Sequence, residues 1–278
     1  MTLVVNSNIA SITAATNLSG TQRVMEQAMD RLSSGKRINS AADDAAGLAI
    51  SSRMTSQIRG LSQSIRNAND AISLAQTTEG ALVEIESMLQ RMRELAIQSE
   101  TGTNENTDRG YMGDEFDELK TEISRVAKAT KFNDQAVFND ASVNVEEKNF
   151  TFAIAYNSVE AVDELALSIS ALGSFGGATI SIATQASVAG AMTAIDSELD
   201  VVRAERADLG ATINRLNYTV DNMANIVVTT EAARSRIVDA DFAAESAALS
   251  RAQILQQAGV AMLAQANAAQ QGVLALLR

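Results

Sequence analysis

Two pairs of adjacent carboxylates, Asp43–Asp44 and Glu146–Glu147, are the residues whose type and spacing come nearest to a metal-ligating or acid/base site. The groups that usually complete such chemistry are missing. The 278 residues include no His and no Cys, which removes thiolate nucleophiles, Cys/His zinc sites and Ser-His-Asp triads together. The carboxylate pairs therefore read as helix caps or solvated surface. Asn-X-Ser/Thr triplets begin at Asn17, Asn149 and Asn217, but two of them fall in helix-patterned segments, so they read as coincidence and not as glycosylation acceptors. The expectation is a non-enzyme with no catalytic residue, cofactor or metal.

What remains is a chain built for packing. It is 46% hydrophobic, enough for a core, yet only 4% aromatic, which favours slender helical packing. It contains no proline, so long uninterrupted helices are permitted. Without cysteine no disulfide framework is possible. A net charge of −12 opposes binding to nucleic acid, whose phosphates demand a basic surface. The charge is also unevenly placed, because residues 1–22 and 252–277 carry no Asp, Glu, Lys or Arg. The start Met-Thr-Leu-Val-Val lacks the basic and apolar regions of a secretory signal, so a cleaved signal peptide is not expected. Amides from Gln253 to Gln271 are spread through the neutral C-terminal stretch, so a protein partner is expected there and not membrane insertion.

Helical rhythm supplies the elements. Met192, Ile195, Leu199, Val202, Arg206, Leu209, Ile213, Leu216, Val220, Met223 and Val227 alternate steps of three and four, the seam of one long helix broken only by Arg206. Ile58, Leu61, Ile65, Ala68, Ile72 and Ala75 form a second seam, resumed by Leu82, Ile85, Leu89, Met92 and Ala96 after a phase slip near Glu79. Met112, Phe116, Leu119, Ile123 and Val126 form a third. The neutral ends repeat the pattern, with Leu18, Gln22, Met25, Met29 and Leu32 near the start and Leu255, Gly259, Met262, Ala266, Ala269, Val273 and Leu276 near the end. An amphipathic helix with no charge on any face is poorly solvated alone, so these two seams are expected to pack on each other and on further copies of the chain.

Polar segments at 34–43 and 235–244 read as joints between the ends and the central helices, with Ser40 or Asp43 placed to cap the helix that follows. Between Lys131 and Ala186 the rhythm fails. Asn149 to Tyr156, Leu165 to Ile169 and Ala178 to Ala183, with a Gly-rich turn at Gly173 to Gly177, read as two or three short strands. The expected fold is mainly α: an elongated coiled-coil-like helical bundle with a small β-hairpin region, its N- and C-terminal helices pairing as a separate inner domain. Residues 1–33 and 245–278 would form that inner domain, and 44–234 a rod with helices about 44–99, 107–129 and 187–234 and strands within 132–185.

The run Arg31-Leu-Ser-Ser-Gly-Lys-Arg-Ile-Asn-Ser-Ala-Ala-Asp-Asp-Ala-Ala-Gly-Leu-Ala-Ile50, with Asn17-Leu-Ser before it, resembles the N-terminal region of bacterial flagellin. Ala233-Arg-Ser-Arg-Ile-Val-Asp-Ala-Asp-Phe-Ala-Ala-Glu245, Ser250-Arg-Ala-Gln-Ile-Leu-Gln-Gln-Ala-Gly259 and the final Leu-Ala-Leu-Leu-Arg278 resemble its C-terminal region. The likeness covers roughly 1–140 and 186–278, with no room between for large outer domains. It implies a structural subunit that self-assembles into the extracellular flagellar filament used for swimming. It further implies export, unfolded, through a type III flagellar apparatus, a secretion chaperone that covers the C-terminal seam, and cap and hook-filament junction proteins as neighbours. Residues Leu89 to Ser99 match the surface that Toll-like receptor 5 contacts, carrying over Arg91, Leu95 and Glu122 as host-receptor contacts. A hook-filament junction protein of the same family and a soluble coiled-coil adaptor are the alternatives. The complete terminal motifs favour the filament over the first, and the uncharged ends oppose the second.

Overall fold

The computed structural model of the chain describes residues 7–138, 148–154, 164–169 and 180–275. Helix α1 (Ile9–Ser34) is followed by α2 (Ala45–Glu100) and α3 (Asn106–Ala129). Strands β1 (Lys131–Phe132), β2 (Gln135–Ala136), β3 (Lys148–Ala153) and β4 (Glu164–Ile169) precede α4 (Gln185–Val238) and α5 (Phe242–Ala275). The molecule divides into two compact units. One holds the chain up to residue 58 and from 228 onward, the other residues 59–227. The division falls inside α2 and α4 and not at 34–43 and 235–244, because the first turns of α2 and the last of α4 are tied to the terminal unit; the Arg234 guanidinium donates to the Thr55 hydroxyl at 3.3 Å. By sequence the terminal unit carries nine basic and eight acidic side chains, the other thirteen and twenty-six, so residues 59–227 hold essentially all the net negative charge.

The core of the 59–227 unit shows why its helices are long. On α2 the buried row runs Leu61, Ser64, Ala68, Ala71, Ala75, Thr78, Leu82, Ile85, Leu89, Met92, Ala96 and Ser99, with Leu74 and Leu95 buried beside it. The row steps three-four without interruption, so the expected phase slip near Glu79 does not occur. The apparent slip arises because the partly buried Ile65 and Ile72 mark the row in the sequence where Ser64 and Ala71 occupy it; three positions of the buried row, Ser64, Thr78 and Ser99, are polar. Each can be buried because its hydroxyl finds a carbonyl: Ser64 donates to Gly60 O at 3.1 Å, Thr78 to Leu74 O at 2.8 Å and Ser99 to Ile182 O at 2.8 Å. On α4, Ile195, Leu199, Val202, Leu209, Leu216 and Met223 are buried on the predicted seam. Where the sequence suggested Arg206, the buried residue is Glu205. Phe116 and Ile123 of α3 close the same core.

Antiparallel pairing of α2 with α4 is marked by ion pairs, Arg93 Nε to Asp196 at 2.7 Å and Glu86 to both Arg203, at 3.2 Å, and Arg206. Burial pushes the Glu86 carboxyl up, but the hydrogen bonds and charges of Arg203 and Arg206 outweigh it and hold it below the ordinary glutamate value. The buried Arg109 of α3 donates through Nε to Ser99 O at 2.9 Å and through an Nη to Thr101 O at 3.2 Å, satisfying carbonyls at the end of α2 that have no helical partner.

The hairpin β1–β2 was not legible as strand: its two-residue turn is Asn133-Asp134, both with positive φ (50° and 62°), a conformation Asn and Asp tolerate. Strands β3 and β4 pair antiparallel with Phe150 opposite Leu167 and Phe152 opposite Leu165, so alternate residues Phe150, Phe152 and Ile154 pack against the helical cores. The third expected strand is not formed at Ser181–Ala183; Ile182 is instead buried there as irregular chain. The Gly173–Gly177 turn, Glu146–Glu147 and Leu276 lie outside the described residues. No helix among the described residues is long and apolar enough to cross a membrane.

Candidate functional site

Asn8 opens α1 by accepting from the Ser11 N–H at 3.0 Å, and the helix ends at Gly35, whose φ of +68° is the left-handed cap that glycine adopts without strain. α1 lies antiparallel along α5. The markers of the pairing are Asn8 Nδ2 donating to Ala266 O at 3.1 Å, Leu18 against Gly259, and Arg31 Nη1 with Glu245 Oε1 at 2.9 Å. A Cβ placed at Gly259 would stand 3.2 Å from the end of Leu18, so glycine is what lets the two helices approach there.

The contact face of α1 is Ser11, Ala14, Leu18, Thr21, Met25, Ala28 and Leu32, a heptad row. Leu18, Met25 and Leu32 stand on it as the sequence suggests. Met29 does not: it is exposed, and the shallow Ala28 occupies its place, buried. On α5 the more buried positions are Ala252, Gln256, Gly259, Leu263 and Ala266. Gly259 and Ala266 are on this face, whereas Leu255, Met262 and Ala269 are exposed. The expected single seam is thus split. One of its heptad rows faces α1 and the other faces outward, with Val273 further along α5 in the helix. Ala252, Gln256 and Thr21 were missed because their side chains carry little hydrophobic signal, and Leu263 because its neighbour Met262 fits the row equally well in the sequence. The reason the first three suffice is the short distance between the helices.

The outward surface of the pair exposes large aliphatic side chains. On α5, Ile254 is 66% and Met262 64% exposed, joined by Leu255 and Val260; on α1, Ile9 is 65% exposed, joined by Ile12, Val24 and Met29. Hydroxyls on the same helix are turned inward on their own backbone: Thr13 donates to Ile9 O and Thr16 to Ile12 O, both at 2.9 Å. The pair thus exposes much aliphatic area on helices that carry no charge from residue 7 to 22 or from 252 to 275.

The polar joints are closely bonded. Lys36 and Asp239 form an antiparallel bridge, flanked by Arg37 N–H to Val238 O at 2.6 Å and Ala240 N–H to Gly35 O at 3.0 Å. The Arg37 guanidinium donates to Ile237 O through Nε at 3.2 Å and an Nη at 2.6 Å. The expected cap of α2 by Ser40 or Asp43 is corrected: Asp44 caps it, accepting from Gly47 N–H at 2.9 Å. A Cβ on Gly47 would lie 2.5 Å from that carboxylate and 2.7 Å from the buried Ile38. Asp43 organises the preceding loop, accepting from Ser40 N–H at 2.9 Å and Asn39 N–H at 3.1 Å. These donors, Ser40 foremost, hold its carboxyl below the ordinary aspartate value.

Of the three receptor positions, Leu95 is 2% exposed and belongs to the core, so it is not a surface residue. Arg91 is half exposed and pairs with Glu94 at 3.1 Å and Glu115 at 2.9 Å. Glu122 pairs with Arg125 at 2.6 Å. Arg91 and Glu122 are therefore not brought together; Glu115 is the acid beside Arg91.

Residues 5–143 match the family model for the bacterial flagellin N-terminal helical region, and 192–277 match that for the C-terminal helical region. Flagellin of Halalkalibacterium halodurans is 44% identical over 278 residues, spanning 99% of this chain and all of that one. Flagellin of Bacillus subtilis is 38% identical over 302 residues, spanning 99% of each. A solved structure assigned as a flagellar hook-associated protein of Vibrio parahaemolyticus covers 71% of this chain and all of its own with a TM-score of 0.57; at 16% identity it shows a shared fold.

Proposed function

The chain belongs to the bacterial flagellin family and is a structural subunit of the extracellular flagellar filament of swimming cells, and from that premise we propose that it polymerises through the outward faces of α1 and α5. The observation that carries this reading is the exposed aliphatic surface of Ile9, Ile12, Val24 and Met29 with Ile254, Leu255, Val260 and Met262, on helices that carry no charge from residue 7 to 22 or from 252 to 275. One helix partner cannot cover both rows, whereas repeated copies can, and heterologous contacts that do not close extend into a filament.

The same reading assigns the C-terminal seam, Leu255 to Leu276, to a secretion chaperone before export. The chain then passes unfolded through the type III flagellar apparatus and folds at the tip beneath a cap protein, on a filament begun at the hook-filament junction proteins. A chain without disulfides or prolyl isomerisation suits that route. A host surface for Toll-like receptor 5 is proposed at Arg91 and Glu122, both of which are solvent-accessible.

Electron microscopy of the purified chain after seeding with filament fragments tests the polymerisation. The parent chain forms long filaments. Leu255→Asp with Met262→Asp keeps its helix content by circular dichroism and forms none. Filaments of normal length from that variant would remove the outward faces from the mechanism.

A further inference from the structure

The surface between α1 and α5 offers little to decide which residue faces which. Its side chains are small or uncharged, Ala14, Thr21 and Ala28 on one helix and Ala252, Gly259 and Ala266 on the other. The last three repeat every seven residues, so a slide of one heptad brings small against small, and the apolar fit it disturbs is that of Leu18 on Gly259. Asn8 adds little discrimination: its Nδ2 donates to the Ala266 carbonyl at 3.1 Å, a group that recurs at every residue, and reaches the exposed Asn267 Oδ1 at 3.5 Å. The selective polar contacts stand at the other end of the pair.

We infer that the bonded segments Gly35–Arg37 and Ile237–Ala240, closed by the Arg31–Glu245 ion pair, are a register lock that fixes α1 against α5. Three features support it. The backbone bridge at Lys36 and Asp239 pins the two chains at one point. Arg37 grips the Ile237 carbonyl in the last turn of α4 with two donors. One helical turn beyond, Arg31 in the last turn of α1 meets Glu245 in the first turn of α5. Each charge complements the dipole of its own helix end, and the two side chains are only 24% and 15% exposed. A shielded ion pair in an otherwise apolar interface costs stability if its partner is displaced, which is how such pairs specify register. The joints are thus a clasp that sets the geometry of the assembling helices. The inference rests on the proposed polymerisation in one respect: register decides how the outward rows of the two helices combine into one surface.

The chain has no cysteine, so an engineered pair reports register directly. Leu18→Cys with Gly259→Cys reports the register seen here, since a Cβ at Gly259 lies 3.9 Å from that of Leu18, within disulfide geometry. Leu18→Cys with Ala252→Cys reports a one-heptad slide. Both pairs are oxidised in the full-length chain before and after seeded assembly, and the yields compared by non-reducing electrophoresis. In the parent background the first pair dominates. In the Arg31→Gln, Arg37→Gln background the ratio of first to second falls by about tenfold. In the charge swap Arg31→Glu with Glu245→Arg, with Arg37 retained, it recovers. An unchanged ratio in the double glutamine chain, or no native cross-link in the parent, overturns the lock. Failure of the polymerisation reading is separable: the Leu255→Asp, Met262→Asp chain keeps the native cross-link ratio whatever it does to filaments.

Discussion

In the unit of residues 59–227, α2 is buried at every three-four step from Leu61 to Ser99, against α3, α4 and the strands. In the terminal unit, α1 and α5 bury one narrow row each and turn Ile9, Ile254 and Met262 outward. Both units use the same heptad grammar, but the first buries its rows within one chain and the second keeps an exposed row, which the proposed assembly assigns to other copies. A heptad row alone does not say which; the charge around it does, since the closed unit is densely charged outside and the open one is not.

The sharpest break of this contrast is a pair of truncations. Phe116→Ala, in the closed core, is expected to cost about 3–5 kcal/mol of monomer stability by denaturant unfolding, whereas Met262→Ala changes it by under about 0.5 kcal/mol and acts on assembly. Equal losses from both would erase the distinction between the units.

Next in size is Glu86→Gln, which removes the carboxylate shared by Arg203 and Arg206, leaving Arg203 with Asp200 at 3.9 Å, and is expected to cost about 1–3 kcal/mol. Glu86 titrates lower in the folded chain than in the unfolded one. Its contribution is therefore complete above the ordinary glutamate range and disappears as pH falls through the lowered folded value. The variant's melting temperature should accordingly fall less than the parent's on acidification.

A smaller effect, within about 1 kcal/mol, is expected for Thr78→Val, which keeps the shape of the side chain and removes a hydroxyl bonded only to its own helix. That position also shows what the sequence hides. The bundle, its three main helices and the β3–β4 pairing were readable because Leu, Ile and Met mark core faces. Thr78, Ser64 and Ser99 look like breaks in the pattern until the carbonyl each one bonds is seen. Met29 and Met262 fit a hydrophobic row yet face outward, because between closely packed helices Ala28 and Gly259 are the better fit. Leu95 looks like a surface contact by resemblance and is core by packing. The Asn133-Asp134 turn carried too weak a glycine signal to be read.

The smallest effect belongs to the clasp. Asp43→Asn weakens acceptance from Ser40 and Asn39 N–H, and amide exchange at those two residues should quicken at neutral pH. In the parent the same protection should be lost only as pH falls through the lowered Asp43 value.

The uneven division of charge makes the subunit resemble a charged colloid with a sticky terminus. Residues 59–227 repel their counterparts on every other copy, and at about 0.1 M salt that repulsion reaches about 10 Å before counterions screen it. On the proposed assembly, ionic strength is therefore expected to work as a nucleation threshold, read by light scattering of seeded solutions across a salt series.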